Sequence, residues 1–443
     1  MINEVSEIRK NDIQKYYQIT LIVLLISLVF EGVFRKILPG FGMLLFFIKD
    51  ICCLITLILY LKDNKILWVN RIVKILFLII LPLFFYTGFY DPLIALFGLK
   101  QYVLYIFAMV LIVKSFSRNE ESSFKILILS FNFLLIVTCI VAIVQSNLPS
   151  THWLNKSVDG NDLSAFGVDG VLRVSSTFPF TAQYSFYIVF AFAILFVSYF
   201  YIPQNFWIKN VVFLILCICV IVSMYITGGR TAVLGVLISG CIGTILIILR
   251  VPYYINRIAI SISIIFLIFI GLKSLFPNYF IVYEKRQEGD AKTNELQNRV
   301  LNSYILSNDW YENQNLLKTL LGNGIGVMSN GTDKFSDYAK ESKKNGFWTE
   351  SDFQTSLWEG GLYLIFTWYF FRFGISLYLI LLFFNIKNKF IIKSSAILLG
   401  YIILNSILGA LSIQNTVAIW WWLAIGVFML LVEYDKQKEL KYV

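Results

Sequence analysis

Imidazole is all but missing from this sequence: His152 is the single histidine among 443 residues. A cluster of histidine ligands around a metal is therefore excluded. Thiols do not fill the gap. The six cysteines, Cys52, Cys53, Cys139, Cys217, Cys219 and Cys241, all fall inside apolar runs, where cysteine behaves as a small hydrophobe. None lies in a loop, so neither a disulfide framework nor a Cys/His metal centre is expected. Charge is scarce as well, at 14% against about 25% in soluble globular domains, which excludes an ordinary soluble fold. Segments of alternating polarity, the mark of a membrane β-barrel, are absent. No small-residue cleavage pattern follows the first apolar run, which reads as a retained anchor.

What the chain has instead is apolar length. Hydrophobic residues make up 58% of it, in about twelve runs that reach the roughly 20 residues needed to cross a hydrocarbon core. They fall near 17–36, 42–62, 71–90, 93–114, 124–147, 178–202, 207–227, 231–250, 255–276, 356–384, 394–411 and 416–433. The expected fold is an all-α polytopic membrane protein of about 12 transmembrane helices. The formal charge of +10 does not point to nucleic acid, because of where it sits. Lysines and arginines gather in short segments that alternate in the span order, among them Lys62 to Arg71, Lys114 with Arg118, Arg250 with Arg257, Lys387 to Lys393 and Lys436 to Lys441. The positive-inside rule then puts both termini in the cytoplasm. The chain divides into an amino-terminal bundle (1–147), central spans (148–276) with an outer loop at 148–177 and a turn at 227–231, a large outer loop (277–355), and a carboxy-terminal region (356–443) of three spans and a cytoplasmic tail.

Several charged residues stand out against this background. Arg230 occupies "TGGRTA", a tight turn between two spans in which Gly228 and Gly229 permit close backbone approach. Solvation at a span end would make such an arginine cheap, so snorkelling at the interface competes evenly with a functional role. Glu31 and Arg35 are spaced i, i+4, with Lys49 and Asp50 in the next span; mutual pairing at the outer interface accounts for them most simply. In the large loop, "NELQNRVLNSYIL" spaces Leu296, Val300 and Tyr304 as an amphipathic surface helix. "ENQNLLKTLLGNGIG" reads as a short helix stopped at Gly322 and followed by a flexible turn. "WTESDFQTSLWEGGL" starts a helix at Thr349, with Asp352 closing a variant capping box and Glu350 in the first turn, where the helix dipole favours a carboxylate. Glu359, nine residues on, is expected about 13 Å deeper, buried and paired with one of the arginines. Arg372 falls in the tenth span. His152, in a polar loop, reads as an exposed bystander, and Trp153, Trp310, Tyr311, Phe347 and Trp348 are candidates to stack on sugar rings.

Four stretches in this order resemble the O-antigen polymerase and ligase superfamily (Wzy and WaaL type): "LRVSSTFPFTAQYSFYIV", "YITGGRTAVLGVLISG", "NRVLNSYILSNDWYENQNLLKTLLGNGIG" and "ESDFQTSLWEGGLYL". They span residues 170 to 365; the amino-terminal third matches mainly in hydropathy. Where many relatives carry His-Asn, this chain has Glu350-Ser351, which weighs against a histidine-dependent ligase. The resemblance implies a C-type glycosyltransferase-like architecture in a bacterial cytoplasmic membrane. It implies transfer of a growing glycan from undecaprenyl pyrophosphate to the non-reducing end of a lipid-linked repeat unit, with no cofactor or metal and with a chain-length regulator as a possible partner. Arg173, Arg230 and Arg299 would hold the pyrophosphate, because a guanidinium stays ionised and makes paired bonds to its oxygens. Glu350 would be the general base, with Glu359 and Asp352 in support. A ligase for the finished glycan and a lipid-linked oligosaccharide flippase are the alternatives. The long outer loop weighs against the flippase, since long ordered loops are usually functional.

Overall fold

The structure, a computed structural model, describes residues 2–63, 66–116, 121–158, 172–199, 201, 205–275, 277–293, 315–345 and 351–440. The chain is an all-α polytopic membrane protein. Its helices are α1 (Ile2–Ile37), α2 (Gly42–Lys62), α3 (Leu67–Tyr90), α4 (Pro92–Leu99), α5 (Ile106–Phe116), α6 (Glu121–Ser146), α7 (Thr181–Ser198), α8 (Phe206–Ile226), α9 (Arg230–Arg250), α10 (Ile255–Leu275), α11 (Asn278–Thr293), α12 (Leu316–Leu321), α13 (Asp337–Asn345), α14 (Asp352–Asn385), α15 (Lys389–Leu408) and α16 (Asn415–Leu440). Among the described residues ten helices are long and apolar enough to cross a membrane, or eleven if α4 and α5, bent by 42° with a π turn at Lys100–Leu104 between them, make one span. The remaining expected run, 255–276, is the 21-residue helix α10.

The axis of the bundle is α16. Its apolar window is 94% buried, against 22% for α3, so α16 is wrapped by protein while α3 faces lipid. Trp420, Trp421 and Trp422 are fully enclosed, with Trp420 packed on Phe190 of α7 and Trp422 on Phe371 of α14. Small residues set the closest approach. A Cβ on Gly243 of α9 would meet the Ile397 backbone of α15 at 2.7 Å, and one on Gly400 would meet the Ser239 carbonyl at 2.3 Å. Close backbone packing of this kind drives helix association where lipid supplies no hydrophobic force.

The segments rich in Lys and Arg meet at one end of the bundle. There Lys114 pairs with Asp63 at 2.9 Å, Asp435 accepts the Lys387 and Asn388 amides, and Arg250 donates to the Ile386 carbonyl. The turns at 38–41, 148–158, 227–229 and 409–414 lie at the opposite, long-loop end, joined by contacts such as Lys36 to the Leu154 carbonyl.

The helix α14 is not one straight rod. Gly361 has φ 58° and ψ −157°, a combination open to glycine. Asp352 and Arg372 are 20 residues apart, about 30 Å along a continuous helix, yet their side chains pair at 2.6 Å. Phe353 also packs on Tyr369, with centroids 5.7 Å apart. The chain therefore folds back at Gly361, and residues 352–360 lie beside 362–372. Asp352 meets Ser412 of the 409–414 turn at the long-loop end, whereas Glu359 meets Gln101, nine residues on from Pro92.

Candidate functional site

The turn carrying Arg230 is built from α8 and α9. Thr227 caps the end of α8, donating its hydroxyl to the Met224 carbonyl and accepting the Gly229 amide at 3.1 Å. Gly228 has φ 59°. Arg230 then begins α9 and is only 5% exposed. Burial changes the weighing made from sequence, since an arginine withdrawn from water costs far more than one snorkelling at the interface. Arg173 arrives at the same turn from the preceding loop: its Nε donates to the Thr227 carbonyl at 3.5 Å. Its own segment is held by buried polar bonds. Ser176, at φ 54°, sends its amide to Gln145 Oε1 at 2.7 Å and its hydroxyl to the Thr138 carbonyl at 2.6 Å. The Thr177 carbonyl accepts the Val33 amide of α1. Two arginines 57 positions apart are thereby brought to one turn by a pinned backbone.

Gly229 is needed here for space. A Cβ would meet Ser185 Oγ at 2.3 Å and Thr227 Oγ1 at 3.2 Å. Gly229→Ala should destabilise the protein by about 1–3 kcal/mol, the range for overpacking a tight site. Adding Ser185→Ala should recover most of the loss, because the contacts that remain are Thr227 Oγ1 at 3.2 Å and Ser185 Cβ at 3.3 Å. Melting curves of the single and double variants check this; a double variant no better than the single would place the strain elsewhere.

An aromatic cleft adjoins the turn. Tyr225, two residues before Thr227, packs with Phe269, Phe280 and Tyr283 at centroid distances of 4.7–5.2 Å. These rings line an open cleft of about 410 Å³ together with Gln287, Glu288 and the Lys273–Glu284 pair. Aromatic walls with a few polar groups are the usual make-up of a small-ligand site. These residues went unremarked in the sequence because a Tyr or Phe at a span end is indistinguishable from a membrane belt.

The second centre is Glu359, fully buried at the tip of the α14 hairpin. Among the described residues its partners are not the arginines expected from the sequence. Its Oε2 accepts Gln101 Nε2 at 2.9 Å and the Tyr102 hydroxyl at 2.8 Å, and its Oε1 accepts the Met328 amide at 2.9 Å. Gln101 and Tyr102 lie on the π turn, whose wider winding lets neighbouring side chains converge on one oxygen. The reversal at Gly361 frees helix carbonyls, and the glycine loop takes them up. Asn323 N–H donates to the Trp358 carbonyl at 2.8 Å and Gly324 N–H to the Glu359 carbonyl at 2.9 Å. The loop is thus clamped rather than flexible. Gly326, at φ 86°, approaches α4 so closely that a Cβ would meet Gly98 N at 2.4 Å. Tyr338 donates to the Asn323 carbonyl at 2.6 Å and stacks on Tyr90; burial pushes its phenol upward, so it stays a donor.

Asp352 does not close a capping box. Ser351 is the cap of α14, accepting the Gln354 amide. Asp352 is instead the buried partner of Arg372, and also accepts the Ser412 amide at 2.6 Å. Arg372 spends its other nitrogen on the Asn405 and Gly409 carbonyls, at 2.8 and 2.9 Å, closing the end of α15. Arg372 pairs with Asp352 because the fold-back at Gly361 brings the two side by side. His152 is part-buried and structural: its Nδ1 accepts the Leu154 amide and caps a short turn. Arg299, Thr349, Glu350, the helix expected over 294–304, and Trp310, Tyr311, Phe347 and Trp348 lie outside the described residues. Trp153 is described and exposed. No group of three or more His, Cys, Asp or Glu side chains gathers among the described residues.

No family model, no curated protein and no solved structure matches this chain.

Proposed function

We propose that the protein is a membrane glycan polymerase, moving a growing polysaccharide from undecaprenyl pyrophosphate to the non-reducing end of a lipid-linked repeat unit. The observation that carries this reading is the meeting of Arg173 with the turn that bears buried Arg230. In the transfer, an acceptor hydroxyl oxygen bonds to the anomeric carbon while the bond to the pyrophosphate oxygen breaks. The leaving oxygen keeps the electron pair and the hydroxyl proton passes to a base. Charge grows on the pyrophosphate, and paired guanidinium bonds are strongest there in a site shielded from water. Arg299, in the large outer loop at 277–355, would complete the grip. Glu350, next to the Ser351 cap, is the base in this reading. The aromatic cleft beside Tyr225 offers ring faces to a sugar unit. The long-loop end then faces outward from a bacterial cytoplasmic membrane, with both termini inside, and a chain-length regulator is a natural partner.

Deletion followed by gel analysis of surface glycan tests the reading. A ladder collapsing to single capped units is expected. Loss of all capping with polymer left on the carrier would make the protein a ligase. Repeat units stranded on the inner leaflet would make it a flippase, and an unchanged ladder would end the proposal. Complementation with Arg230→Lys sharpens the test. Lysine keeps the charge and loses the planar fork, so the transfer rate should fall roughly 10²- to 10³-fold, about 2.7–4 kcal/mol. Near-normal polymer from a normally expressed variant would leave Arg230 as an anchor.

A further inference from the structure

A set of charges on α1, α2 and the π turn takes no part in the reading above. Glu31 pairs with Arg35 at 3.1 Å and with Lys49 at 2.8 Å. Asp50 pairs with Lys100 at 2.6 Å and accepts the Tyr105 hydroxyl at 2.7 Å. Three cations thus face two carboxylates. Lys49 and Glu31 are each only 2% exposed, while Arg35 and Lys100 keep about a fifth of their surface, 20% and 18%. The cations also converge on one ring: Lys49 Nζ lies 4.0 Å from the Phe46 centroid, Lys100 Nζ 5.5 Å and the Arg35 guanidinium 5.6 Å. Arg35 Nε is buried and makes no hydrogen bond.

An excess positive charge held in low dielectric draws an anion strongly. The backbone adds to the pull. The helix α2 begins at Gly42 with no side-chain cap and no acid in its first turn, so its amino-terminal dipole also favours negative charge. The surroundings select the kind of anion. Leu38 and Phe41 in the α1–α2 turn, with Met43 and Leu44 in the first turn of α2, are 47–64% exposed. A cationic centre with an apolar rim suits a phosphate carried by a lipid better than a soluble anion.

We propose that Arg35 and Lys100, backed by Lys49 and the start of α2, bind the phosphate of a lipid at the long-loop end of the bundle. The site uses none of the residues of the Arg173–Arg230 turn and stands whether or not the chain polymerises glycans. Its lipid is either a bulk anionic phospholipid or a polyprenyl phosphate.

The test uses the full chain in nanodiscs of phosphatidylcholine, titrated with phosphatidylglycerol or with undecaprenyl phosphate and followed by native mass spectrometry. The wild type should retain one phosphate lipid above the phosphatidylcholine background. Preference for undecaprenyl phosphate identifies a carrier site, and equal retention of both identifies a headgroup site. Arg35→Gln and Lys100→Gln should each weaken retention about tenfold or more, the equivalent of one charge-assisted bond. Lys100→Arg, which keeps the charge, should bind like the wild type and controls for misfolding. Wild type binding neither lipid, or both glutamine variants binding as well as wild type, would overturn the proposal.

Discussion

Glu359→Ala should cost the protein about 3–5 kcal/mol, because several buried donors lose their acceptor together. The Gln101 amide, the Tyr102 hydroxyl and the Met328 N–H all end on this carboxylate. A buried donor left unsatisfied costs about 1–3 kcal/mol. Glu359→Gln should cost less, since the amide keeps one carbonyl for Met328 and its nitrogen can face the Tyr102 oxygen. The backbone bonds from Asn323 and Gly324 to the Trp358 and Glu359 carbonyls survive both changes, so the loop should loosen from Met328 onward before it detaches. Thermal melting of the purified variants gives the magnitude, and amide exchange over 322–328 gives the order of opening. An alanine variant within about 0.5 kcal/mol of wild type, the ordinary range for a surface change, would mean that the carboxylate is not what clamps the loop.

Arg372→Met should be comparably severe, for a different reason. It strands Asp352 in a site 7% exposed, with only Ser412 and a long bond from Tyr369 to offset the charge. It also opens the Asn405 and Gly409 carbonyls at the end of α15. Removing one partner of a buried ion pair typically costs about 3–5 kcal/mol, whereas replacing both with neutral groups of similar size is far milder. Asp352→Asn combined with Arg372→Met should therefore be more stable than Arg372→Met alone, by roughly 1–3 kcal/mol of coupling. A double-mutant cycle measured by melting reads that coupling. Additive losses would show that the pair does not hold the hairpin. Because the pair joins the first leg of α14 to the bundle, the single variant should also raise amide exchange across 352–360 more than across 374–385.

Both expectations rest on contacts that hydropathy does not encode. Membrane character, the helices and the clustering of basic segments follow from the sequence by itself, because each depends on composition within one run or one turn. The stop of α12 at Gly322 is of this kind, and so is the Glu31–Arg35 pair, both settled within four residues. Lys100 and Gln101 in the middle of an apolar run were a legible signal too, since ionisable groups there need partners. Which partners they find was not legible: Gln101 and Glu359 are 258 positions apart. Arg173 and the Arg230 turn share a motif order but meet only because Gln145 and Thr138 pin the intervening backbone. The fold-back of α14 at Gly361 was hidden for a sharper reason. "WEGGLYL" reads as continuous helix by hydropathy, and a Gly-Gly pair says nothing about which glycine takes positive φ. That choice is made at Gly361, where a Cβ would meet the Leu320 carbonyl carbon and oxygen at 2.6 Å. The reversal is settled by packing against α12, so only the tertiary structure could exchange the partners of Asp352 and Glu359.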